Sequence, residues 1–141
     1  MKKSSSRIGL VAFGVLFFAA TAYAQAQSTI SKIETLLKKN QPSTKSVSMA
    51  GGFVIIDQKS KGVGFGFQVP YDSVDYSFTF STKSKKDTTF NVNIKCPNNK
   101  DCIVIYDDDK EFLKKNIWIS FKSEPDAETF ISLMGALKEG K

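Results

Sequence analysis

Val63-Gly64-Phe65-Gly66-Phe67-Gln68-Val69, Val74-Asp75-Tyr76-Ser77-Phe78-Thr79-Phe80 and Phe90-Asn91-Val92-Asn93-Ile94-Lys95-Cys96 decide the fold. Each stretch sets a bulky apolar residue at every second position, with small or polar residues between. A period of two brings all the bulky groups to one side of an extended strand. Three such strands in succession describe a sheet with one face in a core and the other in water. Working outward, strands are expected at Ser46 to Ile56, Lys61 to Val69, Val74 to Thr82, Thr88 to Cys96, Cys102 to Tyr106 and Asn116 to Lys122. Their connections are short and rich in turn residues, which favours antiparallel neighbours and predicts a meander.

Two helices are expected to flank these strands. Ile30, Ile33, Leu36 and Leu37 recur at helical spacing, with Ser28 or Thr29 available as the cap, and Asn40-Gln41-Pro42-Ser43 should stop that helix. The second helix starts at Ser123-Glu124-Pro125-Asp126, where a hydroxyl cap lies three residues before a carboxylate and proline occupies the first turn. Ala127, Phe130, Ile131, Met134 and Leu137 form its apolar stripe, and Gly140 sits where a helix commonly ends.

The join Trp118-Ile119-Ser120-Phe121-Lys122-Ser123-Glu124-Pro125-Asp126-Ala127-Glu128-Thr129-Phe130 resembles that of small exported bacterial proteins with a pleckstrin-homology-like fold. The resemblance covers Val47 to Lys138 in outline. It implies an α+β domain: a small antiparallel β-barrel or strongly curved sheet of about six strands, capped by the carboxy-terminal helix. The amino-terminal amphipathic helix is an addition to that pattern. Phosphoinositide-binding members place basic residues around the first strand connection, so the resemblance draws attention to lysines at the hairpin tips.

Lys2, Lys3 and Arg7 precede an uncharged apolar run from Ile8 to Ala20, and Ala22-Tyr23-Ala24 supplies small residues for a signal peptidase. A spanning helix needs about 20 apolar residues and a stop-transfer flank, so the segment reads as a cleaved signal over residues 1–24. The mature chain then runs over residues 25–141 as one domain, exported to a periplasm or beyond the cell, with no membrane span after cleavage. No cysteine lies near the cleavage site to carry a lipid.

Export decides how Cys96 and Cys102 are read. They enclose Pro97-Asn98-Asn99-Lys100-Asp101, with strand-like flanks, and an oxidising compartment favours a disulfide that closes a hairpin. Such a bond stabilises by about 2 kcal/mol on the chain-entropy view. Zinc would need two further ligands that the chain cannot supply from histidine or cysteine, and redox pairs are usually spaced Cys-x-x-Cys.

Composition closes several functional classes. The chain contains no histidine, so it lacks the usual general base at neutral pH and the commonest metal ligand. Removing Lys2, Lys3 and Arg7 lowers the formal charge from +6 to +3 and leaves no arginine. Sequence-specific nucleic-acid binding thereby loses the bidentate arginine fork. A hydrolase built on paired carboxylates is the remaining enzymatic alternative.

Four features invite a site. Gly62, Gly64 and Gly66 alternate with Val63, Phe65 and Phe67, but they lead into strand periodicity rather than a helix, so a curved sheet or a close approach by another segment is expected rather than a phosphate cradle. Asp107, Asp108 and Asp109 lack the spacing of the helix-loop-helix calcium motif and read as a solvated turn. In a meander, Lys59 and Lys61 would adjoin Lys83, Lys85 and Lys86, forming a basic cluster for an anionic envelope component or an acidic protein surface, although lysine-rich hairpin tips more often serve solubility and edge protection. Trp118 and Phe121 lie on opposite faces of one strand, and Tyr71, Tyr76 and Tyr106 are scattered. Burial is the common fate of such rings, whereas an exposed Trp118 beside Tyr76 or Tyr106 would point to sugar or protein binding. The reading that follows is an exported, non-enzymatic binding or structural module with no metal or cofactor. Its partner is a protein or the envelope surface, and a carrier of a small apolar ligand held between sheet and helix is the alternative.

Overall fold

The computed structural model describes residues 22–82 and 88–139. It shows an α+β fold of two α-helices and eight antiparallel strands in two sheets. Helix α1 covers 22–40. The strands are β1 (Thr44–Ala50), β2 (Phe53–Ser60), β3 (Val63–Pro70), β4 (Asp75–Thr82), β5 (Thr88–Lys95), β6 (Ile103–Asp107), β7 (Lys110–Lys114) and β8 (Asn116–Phe121), and helix α2 is Glu124–Lys138. One sheet has the order β1-β2-β3-β6-β7 and the other β4-β5-β8.

This corrects the expected six-strand meander in three ways. The segment read as one strand over Ser46 to Ile56 is the hairpin β1-β2, folded at Gly51 and Gly52, both with positive φ. Two consecutive residues with positive φ make the tight turn that matches strand twist, and glycine adopts it without strain. Lys110–Lys114 is a strand although every one of its side chains is exposed, so no alternation marks it. Finally, β3 pairs with β6 instead of β4. Pro70 cannot donate to a ladder and ends β3, and the chain crosses to the second sheet within Tyr71 to Val74. The described ladders form two sheets, and no closed barrel is found among them.

The disulfide forms between Cys96 and Cys102 as expected, but its setting differs. Strand β5 pairs with β8 and β6 pairs with β7, so residues 88–121 form one long hairpin running across both sheets. Lys95 lies opposite Asn116 and Ile103 opposite Lys114. The residues between Lys95 and Ile103 are therefore surplus on one arm, against Lys115 alone on the other. The disulfide pinches this surplus into a loop. Cys96 N–H donates to the Lys115 carbonyl at 2.8 Å and Cys102 N–H to that of Lys114 at 3.2 Å, which carries the ladder across the corner.

Inner faces of both sheets and one stripe of each helix form a single core. Ile33, Leu37, Val54, Ile56, Val69, Val92, Ile94, Phe121, Phe130 and Met134 are among its fully enclosed members. The Phe121 and Phe130 rings meet with centroids 5.2 Å apart, seating α2 on the inner face of the three-stranded sheet. Helix α1 begins before Ser28 and Thr29, which are helical rather than capping, and it ends at 40 as expected. Ser123 caps α2, its hydroxyl accepting from Asp126 N–H at 3.3 Å. Gly140 lies outside the described residues.

Asn40, only 7% exposed, ties the elements together. Its carboxamide donates to Asp126 at 3.0 Å and accepts from Lys122 N–H at 2.8 Å. Lys39 adds an ion pair to Asp126 at 3.1 Å. The Asn40 amide first, then Lys39, holds the Asp126 carboxyl below the usual carboxylate range. Glu34 is also lowered, by Lys38 and then by the N–H of Val47, which donates to it at 3.0 Å and docks α1 to β1.

Candidate functional site

Alternation along β8 buries Ile117, Ile119 and Phe121 and turns Asn116, Trp118 and Ser120 outward. Burying three such residues fixes the strand's facing, because a slip by one would expose all of them. On β5 the buried positions are Val92 and Ile94, so Asn91, Asn93 and Lys95 share the outer face. Asp75, Ser77 and Thr79 of β4 are exposed beside them. The register aligns Ser77 with Asn93 and Trp118, Thr79 with Asn91 and Ser120, and Asp75 with Lys95 and Asn116.

The two asparagines at the centre are held in place. Asn116 Nδ2 donates to Asn93 Oδ1 at 3.3 Å, and Ser120 Oγ donates to Asn91 Oδ1 at 2.6 Å. Their carboxamide oxygens are thus engaged within the sheet, and Nδ2 is the donor that each of these side chains carries beside them. Trp118 stands beside this lattice with 52% of its surface exposed. The common expectation of burial therefore fails for Trp118 and holds for Phe121, its neighbour on the opposite face. The ring's environment also differs from the one envisaged: Tyr76 pairs with Ile94 and shares the inner face, and Tyr106 belongs to the other sheet. Burial pushes the Tyr76 hydroxyl well above its ordinary value, with Asp72 adding to the shift, and its oxygen is enclosed without a hydrogen-bond partner among the described residues. Tyr71 is half-buried against the core.

The glycine stripe has a structural purpose at Gly66. The outer face of the five-stranded sheet aligns Ser46, Asp57, Gly66 and Tyr106 across four strands. The Tyr106 ring lies over Gly66, and its hydroxyl donates to Asp57, which also accepts from Ser46 Oγ at 3.3 Å. A side chain at 66 would collide with the Tyr106 ring and the Ile56 carbonyl. This is the close approach by another segment that the sequence allowed. Gly62 instead serves the β2-β3 turn, with Lys61, both at positive φ.

Asp108 and Asp109 form the β6-β7 turn, and Asp108 N–H donates to the Gly64 carbonyl at 3.0 Å. With Asp57, Tyr106 and Glu111 they line a depression of about 430 Å³. Among the described residues, no group of three or more histidine, cysteine or acidic side chains is placed to hold a metal ion. Lys59 and Lys61 stand at the β2-β3 tip, at the same end of the sheet as this acidic turn. Lys83, Lys85 and Lys86 lie outside the described residues. The meander that would have set the two lysine groups on neighbouring strands is replaced by the β3-β6 pairing.

Two further surfaces escaped the sequence reading. Leu36 of α1 and Leu133 of α2 line an open groove of about 360 Å³ with Lys32, Thr35, Lys39 and Thr129. Phe112 and Leu113 are exposed on the edge strand β7, flanked by Lys110 and Lys114. Lysines on an edge strand oppose the addition of another strand. None of the described helices is long and apolar enough to cross a membrane. Comparison with protein-family models, curated proteins and solved structures yields no match.

Proposed function

We propose that this chain is an exported, non-enzymatic binding module that meets an envelope partner through the outer face of the β4-β5-β8 sheet. The observation that carries the reading is Trp118, a large aromatic left half in water on a strand whose other face is locked into the core. Exposed aromatics set on rigid elements are the usual energetic anchors of recognition surfaces. The disulfide supports export, since such bonds persist in oxidising compartments. Signal removal after Ala24 also suits the structure: residues 22–25 are exposed, and the first buried side chains of α1 are Thr29 and Ile30.

Mass spectrometry of the native protein tests export. A chain beginning at Gln25 with paired sulfurs is expected, and an untrimmed chain with two thiols contradicts it. Co-sedimentation with envelope fragments from the producing cell tests the binding face. Wild type should pellet and Trp118→Ala should stay in solution, whereas equal pelleting of both excludes this face as the contact.

A further inference from the structure

We propose that the ligand of this face is an uncharged polysaccharide, a chain of hexopyranose units that stacks one ring on Trp118 and meets the adjoining amides and hydroxyls with its own hydroxyl groups. The inference rests on the binding-module reading above and adds the chemical class of the ligand.

Three properties of the face select that class. First, its centre is uncharged. The two rows containing Trp118 and Ser120 hold only Ser77, Asn93, Thr79 and Asn91 besides; Asp75 and Lys95 stand opposite each other in the row on one side, and the exposed Lys122 follows Ser120 on the other. A charged partner would find no ion-pairing group within the rows around Trp118, although the formal charge of the chain is +6, or +3 once Lys2, Lys3 and Arg7 are removed.

Second, Trp118 is the only apolar side chain in those rows. A protein partner would bury its anchor within a ring of further apolar or tightly packed contacts that keep water out. A sugar needs one aromatic plane, because the electron-rich face of an indole attracts the positively polarised C–H groups on the flat side of a pyranose. The rest of a sugar's surface is hydroxyl. It calls for groups that both donate and accept, which Ser77 and Thr79 supply, together with the Ser120 hydroxyl oxygen as an acceptor, its proton being held by Asn91, and carboxamide N–H donors from Asn91 and Asn93.

Third, the donors are fixed before any ligand arrives. With Asn93 held by Asn116 and Asn91 by Ser120, the amides lose little side-chain freedom on binding. Outward side chains repeat about every 7 Å along a strand and about every 5 Å across the sheet. Rows of polar groups on that scale suit an extended chain of sugar rings laid across them, whereas a small metabolite would call for a concave pocket.

The experiment uses the full mature chain and envelope fragments in three forms: untreated, exhaustively digested with protease, and chemically deglycosylated with trifluoromethanesulfonic acid, which cleaves glycosidic bonds and spares peptide bonds. Pelleting that survives protease, is lost on deglycosylation and resists about 1 M salt is the expected result. Trp118→Ala should weaken it at least about tenfold, and Asn93→Ala about fivefold. Both positions face outward or lie at the surface, so unchanged circular dichroism and thermal midpoint will certify the fold of the variants. Trp118-dependent pelleting that is lost to protease but survives deglycosylation overturns the polysaccharide and leaves the binding module standing. Elution by salt overturns it equally, in favour of the lysines. Pelleting of untreated fragments that ignores Trp118→Ala overturns both proposals together.

Discussion

Tyr76 and Asn40 show opposite ways of burying a polar group. The Tyr76 oxygen is enclosed with no partner among the described residues, a state that costs free energy unless a hydrogen bond compensates it. Tyr76→Phe should therefore be neutral or stabilising by about 1 kcal/mol in urea unfolding at neutral pH. Because its folded-state pKa is raised, Tyr76 leaves stability independent of its titration below pH about 10, where the phenol is neutral folded or unfolded, and destabilises the native chain as the pH climbs further and the unfolded phenol ionises first. The variant should consequently unfold later on the alkaline limb, and an unchanged limb would show that the hydroxyl is solvated. Asn40 satisfies its neighbours, so Asn40→Ala should cost about 1 to 3 kcal/mol by stranding Lys122 N–H and Asp126. Asp126 has a lowered pKa and stabilises above the ordinary carboxylate value near 4, losing the contribution as pH falls through its lowered folded value. The gap between wild type and Asn40→Ala should accordingly narrow in acid, as read from midpoints between pH 7 and pH about 2.

At the scale of elements, alternation made β3, β4 and β5 legible, and capping chemistry at Ser123 made the start of α2 legible to the residue. The errors have specific causes. Gly51-Gly52 carried a turn signal, but the apolar residues on both sides, Met49-Ala50 and Phe53-Val54, concealed the break between two strands. Strand β7 has no buried face, so the pattern that reveals strands is missing. The β3-β6 pairing joins residues some forty positions apart, and short connections alone do not report a change of sheet. The disulfide was legible as a pair, while its work as a clamp on a surplus loop depends on the same long-range register. Reduction, or Cys96→Ser with Cys102→Ser, should lower stability by about 2 kcal/mol. Amide exchange should accelerate first around Lys114 to Asn116, where the clamped arm meets its partner. Uniform acceleration throughout β5 to β8 would instead mean that the clamp supports the hairpin as a whole.

For the whole molecule, the sequence supplied the compartment argument and the candidate aromatic, but not the face. Trp118 sits between Ile117 and Ile119 in a stretch that reads as core in either direction, and only the partners of β8 determine which side meets water. The asparagines raised no flag because Asn91 and Asn93 look like the polar half of any alternating strand. Their significance comes from being brought beside Trp118 by a strand more than twenty residues away. With the protein's sole tryptophan at the centre of the proposed contact, its fluorescence reads that contact without a label. Titration of the mature chain with its native envelope fragments should shift the emission to shorter wavelength and protect it from a soluble quencher such as acrylamide. Emission and quenching that stay unchanged while the protein pellets with those fragments would contradict recognition through Trp118.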